Sequence, residues 1–337
     1  MSEHIRTDLA DGVLSIVLAR PDKKNAITQA MYAALSEATE RARTDAAIRA
    51  VLLKAEGDSF SAGNDIGDFI AIGSQTEQPF DMAVFRFLKA LADLDKPLVA
   101  AVRGRAVGIG LTMLLHCDMV VVAEDALLSA PFVNLALAPE AASSLLLPAA
   151  VGHQRAFELF ALGEAIDGRT ALAWGLANRA VLADRVDETA AALAAALAAR
   201  APNSIRKTKR LMRDAEALWG RMQREGEAFG SQMKSPEAME AFMAFTQKRA
   251  PDFAKAGYAV LEKPEDLAAA PLGPVASAAA GIGLVVLRPA GGRTLSGPAL
   301  RLLVRVLDRV GGDVLRRVRL RAGLSTLGHS RFSCSAR

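Results

Sequence analysis

Pro97-Leu98-Val99-Ala100-Ala101-Val102, Gly104-Arg105-Ala106-Val107-Gly108-Ile109-Gly110 and Asp118-Met119-Val120-Val121-Val122-Ala123 follow one another in the first half of the chain. The first and last are apolar runs of strand length. The middle one is a glycine-rich turn that feeds an apolar helix ending near His116. Strand, glycine turn, helix and strand together form the repeating step of an α/β domain with parallel pairing.

The same step is found on the N-terminal side. Gly12 to Leu18 reads as a strand ending in the turn Arg20-Pro21-Asp22, and Thr28 can cap a helix running to about Arg43. Arg49 to Ala55 reads as a buried strand, Glu56 to Gly67 as a loop, and Phe80 to Leu94 as a helix. From Ala141 the pattern is mainly helical. Ala190 to Arg200 is alanine-rich, and Pro202 to Lys248 suggests two more helices.

After Gly257 the texture changes to Gly, Pro, Ala and Arg. From Tyr258 on, 12 basic residues face 5 acidic ones, whereas residues 1–257 hold 29 against 32. The net charge of +4 therefore belongs to the tail, and a nucleic-acid partner is not expected for the body. Within the tail, Ala299 to Arg321 has the pattern of a basic amphipathic helix broken at Gly311-Gly312, read as a contact with an anionic partner or membrane surface, or as part of a disordered extension or of sequence from a non-native reading frame. The expected organisation is a core over residues 1–200, a helical region over 201–257 and an atypical basic tail over 258–337.

With 51% apolar and 23% charged residues, the 337-residue chain has ample material for a core. Cys117 and Cys334 cannot build a disulfide framework or a CxxC metal site. The N-terminus has no apolar core of a secretory signal. Val275 to Leu287, the longest uncharged apolar run of the tail, is too short to span a bilayer. A cytoplasmic protein with no membrane span and no metal is expected.

Several chemistries have no motif here. There is no HExxH, no GxSxG elbow and no P-loop, and Gly108-Ile109-Gly110 lacks the third glycine of a dinucleotide fingerprint. The four histidines are scattered, and His116 reads as a packed core residue. Two glycine turns and one carboxylate remain. Ser59-Phe60-Ser61-Ala62-Gly63-Asn64-Asp65-Ile66 and Gly104 to Gly110 each join a strand to a helix. Unpaired N–H groups converging from both would form an oxyanion hole; the alternative is two ordinary tight turns. Glu140 is the only charged residue between Asp125 and Arg155. In so apolar a stretch it reads either as a general base with a raised pKa or as a helix-start acid after Pro139. Arg206, Lys207, Lys209, Arg210 and Arg213 read as a solvated helix face or as a phosphate contact.

An ordered set of segments resembles the crotonase superfamily, the enoyl-CoA hydratase/isomerase family. These are Arg20 to Ala26, Phe60 to Asp65, Gly104 to Gly110, Cys117-Asp118, Pro139-Glu140, Leu162-Gly163-Glu164 and Trp174 to Asn178. The resemblance spans about residues 5–257. It implies a spiral of ββα units with a helical C-terminal region used for trimerisation, giving a homotrimer or a dimer of trimers. It also implies an acyl-CoA thioester substrate and no cofactor beyond the CoA of that substrate. By similarity, the thioester oxygen sits between the backbone N–H groups of Asn64 and Ile109, beside Gly108. The CoA adenine and phosphates lie near Lys23, Lys24, Ala26, Ala62, Asp65 and Ile66, and the acyl chain runs past Phe132 and Leu135.

Hydratases of this family use two glutamates, and the corresponding positions here hold Thr112 and Phe132. Glu140, eight residues beyond Phe132, resembles the single carboxylate of the peroxisomal-type Δ3,Δ2-enoyl-CoA isomerases. Isomerisation is therefore the leading expectation. Hydration stays open through Asp65, Asp68 or Glu77, as does a non-catalytic acyl-CoA-binding role.

Overall fold

The computed structural model describes residues 2–65, 67–68 and 82–256. Ile66, Glu77, the first part of the helix expected from Phe80, and the tail with its candidate helix at 299–321 lie outside the described residues.

Among the described residues the strands are β1 (Ile5–Ala10), β2 (Val13–Leu18), β3 (Ala50–Ala55), β4 (Leu98–Val102), β5 (Arg105–Val107), β6 (Met119–Ala123), β7 (Leu127–Ser129), β8 (Ile166–Asp167) and β9 (Arg179–Val181). One sheet has the order β1-β2-β3-β4-β6-β9 and a second has β5-β7-β8. β1 and β2 form an antiparallel hairpin through Asp11 and Gly12, both at positive φ, as a tight two-residue turn requires. The other neighbours in the large sheet are parallel, with Leu14 opposite Val51, Val51 opposite Leu98 and Val99 opposite Met119. β4 is buried at every residue, which explains its unbroken apolar run.

Helix α1 (Gln29–Thr44) starts where expected, with Thr28 Oγ1 accepting from Met31 N at 3.3 Å. It buries Met31, Tyr32, Leu35, Ala38 and Ala42, residues at helical spacing, against α2 (Ala83–Asp93). The Tyr32 and Phe87 rings stand 5.9 Å apart there. The segment after Gly108 is not one apolar helix to His116. It is a single α-turn, α3 (Ile109–Thr112), tightened into a 3-10 turn over Met113–His116 before the chain returns to β6. α4 (Ser143–Val151), α5 (His153–Ala161), α6 (Gly168–Trp174) and α7 (Val186–Ala198) follow.

The span expected to hold two helices holds three, α8 (Pro202–Met212), α9 (Ala215–Met233) and α10 (Pro236–Thr246), before the short α11 (Phe253–Ala256). The breaks are made by caps. Asp214 Oδ1 accepts from Glu216 N and Ala217 N, and Ser235 Oγ accepts from Ala238 N ahead of Pro236.

The basic cluster at α8 is a solvated face only in part: Lys207 and Arg210 are exposed, while its inner members make tertiary bonds. Arg206 and Arg210 both bond Asp95, and Lys209, 8% exposed, donates to Asp118 Oδ2 at 2.6 Å and to Lys96 O at 2.8 Å. Arg213 donates to the carbonyls of His116 and Leu115. A charged helix face with apolar neighbours in sequence has become an anchor on the end of the sheet.

The loop 20–26 is fastened to the turn 56–65 by Asn25, which is fully buried at φ 53°. Its Oδ1 accepts from Arg20 N at 2.8 Å, and its Nδ2 donates to Glu56 O and Ser59 O at 2.8 Å each. Asn25→Ala strands three backbone groups and places alanine in the left-handed region. We expect a loss of about 3 kcal/mol in urea unfolding. A loss below about 1 kcal/mol would mean that water replaces the side chain.

Candidate active site

The two glycine turns are stitched to each other. Ser61 N donates to Arg105 O and Val107 N to Ser61 O, both at 2.9 Å, and Phe60 N donates to Arg103 O at 2.8 Å. The approach is close enough that a Cβ on Gly110 would stand 2.9 Å from Ser61 O. On the far side of the first turn, Ile27 N bonds Gly63 O and Asp65 N bonds Ile27 O, so the ladder skips the amide of Asn64. In the second turn Gly108 takes φ 56°, ψ −120°, a backbone that glycine accepts and other residues resist. The chain then turns into α3 at Ile109. Among the described residues neither the Asn64 nor the Ile109 amide has an acceptor. The two donors read from the sequence thus sit on adjoining turns fixed by one ladder.

Tyr32 braces this arrangement from α1. Its hydroxyl, in a side chain 1% exposed, donates to Asn64 Oδ1 at 2.5 Å. Burial, and secondarily the charge of Glu140, raise the Tyr32 pKa well above the phenol range, so it stays a donor.

Glu140 is half-buried and its Oε1 accepts from Thr112 Oγ1 at 2.5 Å. Burial pushes its pKa up to about 8. The Thr112 bond opposes that rise and the charge of Glu225 adds to it. Thr112 therefore holds Glu140 by a hydrogen bond, a role that sequence reading did not give it. Nor is Glu140 a helix-start acid. Ala141 (φ 60°) and Ala142 (φ 56°) both take the left-handed conformation, and α4 begins only at Ser143. The reading that fits is the carboxylate held in an apolar setting.

Two further residues secure the left-handed turn, and sequence reading missed the role of both. Glu225, on α9 and 6% exposed, accepts from Ala142 N at 2.6 Å, Ser144 N at 2.9 Å and Ser144 Oγ at 2.5 Å. Fully buried His116 bonds Ala141 O through Nε2 at 2.8 Å. Burial lowers the His116 pKa to about 3, so the ring is neutral and Nε2 carries the proton. No local signal marks Glu225, which lies among the ordinary charges of a long helix.

Of the positions expected to contact CoA, Ile66 lies outside the described residues, and the others lie on the loop 20–26 and the first turn. Lys23 and Lys24 are exposed, and Lys24 O accepts from Ala62 N at 2.9 Å. Ala26 O accepts from Arg20. Asp65 pairs with Arg20 at 2.7 Å, and that bond holds its carboxyl below the usual range. Asp68 accepts from Gln29 N. Two of the three acids considered for hydration, Asp65 and Asp68, are thus engaged in structure, and Glu77 lies outside the described residues. Phe132 is buried in a cluster with Ala130 and Leu137, against which Leu135, Phe160, Phe229, Met233 and Phe242 pack.

The family model for enoyl-CoA hydratase/isomerase matches residues 8–256. The chain belongs to that family. Its mixed α/β fold is crotonase-like. A probable enoyl-CoA hydratase of Bacillus subtilis is 31% identical over 247 residues, covering 72% of this chain and 96% of that protein. Enoyl-CoA delta isomerase 2 of Rattus norvegicus is 32% identical over 243 residues, covering 71% of this chain and 62% of that protein. Among solved structures, an enoyl-CoA hydratase/isomerase from Pseudoalteromonas atlantica T6c superposes with a TM-score of 0.71 at 45% identity, over 74% of this chain and all of that one. OdaA of Pseudomonas aeruginosa gives a TM-score of 0.69 at 46% identity, over 72% of this chain and 99% of that one. In this family member no helix among the described residues is long and apolar enough to cross a membrane.

Proposed function

We propose that this family member is an acyl-CoA isomerase that moves the double bond of a 3-enoyl-CoA to the 2-position, with Glu140 as the single acid/base. The observation that carries the reading is the carboxylate set. Glu140 is held by Thr112 with a pKa near 8, and the position that could have supplied a second glutamate is Phe132, packed into an apolar cluster.

The steps balance on one carboxylate. Ionised Glu140 removes a proton from C2, and the C–H electron pair passes into the thioester to give a dienolate. The N–H groups of Asn64 and Ile109 stabilise the oxygen on which that charge develops. The protonated Glu140 then returns the proton at C4. The bond between C3 and C4 becomes single, C2 and C3 become doubly bonded, and Glu140 is again ionised. No water is activated and no cofactor beyond the substrate's own CoA is needed. Lys23, Lys24, Ala26, Ala62, Asp65 and Ile66 are the proposed CoA contacts, and Phe132 and Leu135 the proposed acyl contacts.

The test is a paired assay with a 3-enoyl-CoA and a 2-enoyl-CoA of equal length. We expect the first to be converted to its 2-enoyl isomer and the second to stay unhydrated. Hydration of the 2-enoyl-CoA at a rate matching isomerisation would overturn the reading. A protein that binds both thioesters and turns over neither would be a binding member of the family.

A further inference from the structure

The residue after Glu140 is not free to place it anywhere. Ala141 and Ala142 are consecutive left-handed alanines, a conformation that L residues resist and that persists only where the surroundings impose it. Those surroundings are specific. The Ala142 amide and both the amide and hydroxyl of Ser144 all end on the carboxylate of Glu225. Ala141 O ends on His116, and Ser143 N closes back on Glu140 O at 3.0 Å. A neutral side chain of the same shape supplies fewer acceptors than these donors use.

We propose that Glu225 is a positioning residue for the reaction: from α9 its carboxylate holds the left-handed turn and so aims Glu140 at the site between the two glycine turns. This rests on the reading of Glu140 as the acid/base. Glu225 also places a second negative charge near Glu140. The groups that face Glu140 are Thr112 from α3, Tyr32 from α1 and Glu225 from α9. Those that face Glu225 are Arg221 on its own helix, Ser144 from α4 and Glu140 from the loop. Like charges in proximity favour protonation, so removing the Glu225 charge makes Glu140 easier to ionise.

The test compares the full-length protein with Glu225→Gln and Glu225→Asp. The deciding readout is the titration midpoint of the Glu140 carboxyl, followed by carbon-13 NMR without substrate and assigned with Glu140→Gln. It does not depend on which reaction the enzyme performs. Glu225→Gln should lower the midpoint by roughly 0.5–1 pH unit. Glu225→Asp keeps the charge but withdraws the acceptors, and should leave the midpoint within about 0.3 of the parent. In steady-state assays with a 3-enoyl-CoA, both variants should lose about 10–100-fold in kcat with KM changed less than about threefold. An unshifted midpoint in folded Glu225→Gln overturns the proposal, as does full kcat in either variant. Should Glu225→Gln not fold, the kcat of Glu225→Asp decides. If the parent protein turns over no 3-enoyl-CoA, the isomerase reading fails separately and the NMR midpoint still decides whether Glu225 acts on Glu140.

Discussion

Glu140→Gln should lower the isomerisation rate by about 10²–10⁴-fold while leaving thioester affinity within a factor of about three. The substitution keeps the volume of the side chain, and glutamine can still accept the Thr112 hydroxyl at the position where Glu140 Oε1 stands 2.5 Å from it. What it removes is the group proposed to take the C2 proton and return it at C4. The proposed oxyanion donors, Asn64 and Ile109, offer backbone groups on a separate ladder, so they should survive the change and keep the thioester affinity. The measurement is kcat on a 3-enoyl-CoA beside calorimetric titration with a saturated acyl-CoA. Full activity in the variant would place the acid/base elsewhere and end the single-carboxylate mechanism. Loss of binding together with activity would mean that Glu140 mainly shapes the pocket.

The second large effect is in pH. A base must be ionised to act, and the Glu140 carboxyl is held near 8. In the substrate-free enzyme kcat/KM should therefore rise with pH and level off above 8, with about a tenth of its maximum at pH 7. Stability should run the other way. The folded state keeps its proton up to about 8, whereas the unfolded chain releases it near 4.5. The protonated group's contribution is fully present below 4.5 and is lost as pH rises through 8, on the order of 5 kcal/mol in all. Glu140→Gln mimics the neutral form at every pH. Urea unfolding at pH 5 and pH 9 should thus show the parent protein losing stability relative to the variant. Parallel stabilities across that range would contradict the raised pKa. The expected result is an inactive variant that is more stable at alkaline pH, a trade commonly found at working sites.

What the sequence made legible follows from how local its causes are. β2, β3, β4 and β6 are apolar runs bounded by turn residues, and their pattern alone places them. The hairpin partner β1 is hard to read although Asp11-Gly12 is a strong two-residue turn signal, because Ile5 to Ala10 is mostly exposed and offers little apolar pattern. The three-residue strands β5, β7 and β9 exist by pairing and have too little sequence to declare themselves. At the site, Glu140 stood out because an acid in an apolar stretch is conspicuous. The donors of Asn64 and Ile109 rest on the resemblance, since glycine spacing alone favours ordinary tight turns. Thr112, Tyr32 and Glu225 were invisible in their roles. Each acts across a tertiary contact, 28, 32 and 81–83 residues away along the chain. The basic face of α8 misled for the same reason: its partners Asp95 and Asp118 lie more than 90 residues earlier in sequence.

The clamp on the left-handed turn also has a meaning in time. A chain leaves the ribosome from its N-terminus, and its early segments begin to fold before the later ones exist. Both glycine turns, Thr112 and Glu140 itself are synthesised well before residue 225. A nascent chain can therefore hold the sheet and the stitched turns while the loop after Glu140 still lacks the acceptor for its amides. The enzyme is armed by one of the last helices of its family-matched region, so a chain stopped short of α9 carries the acid without the support that aims it.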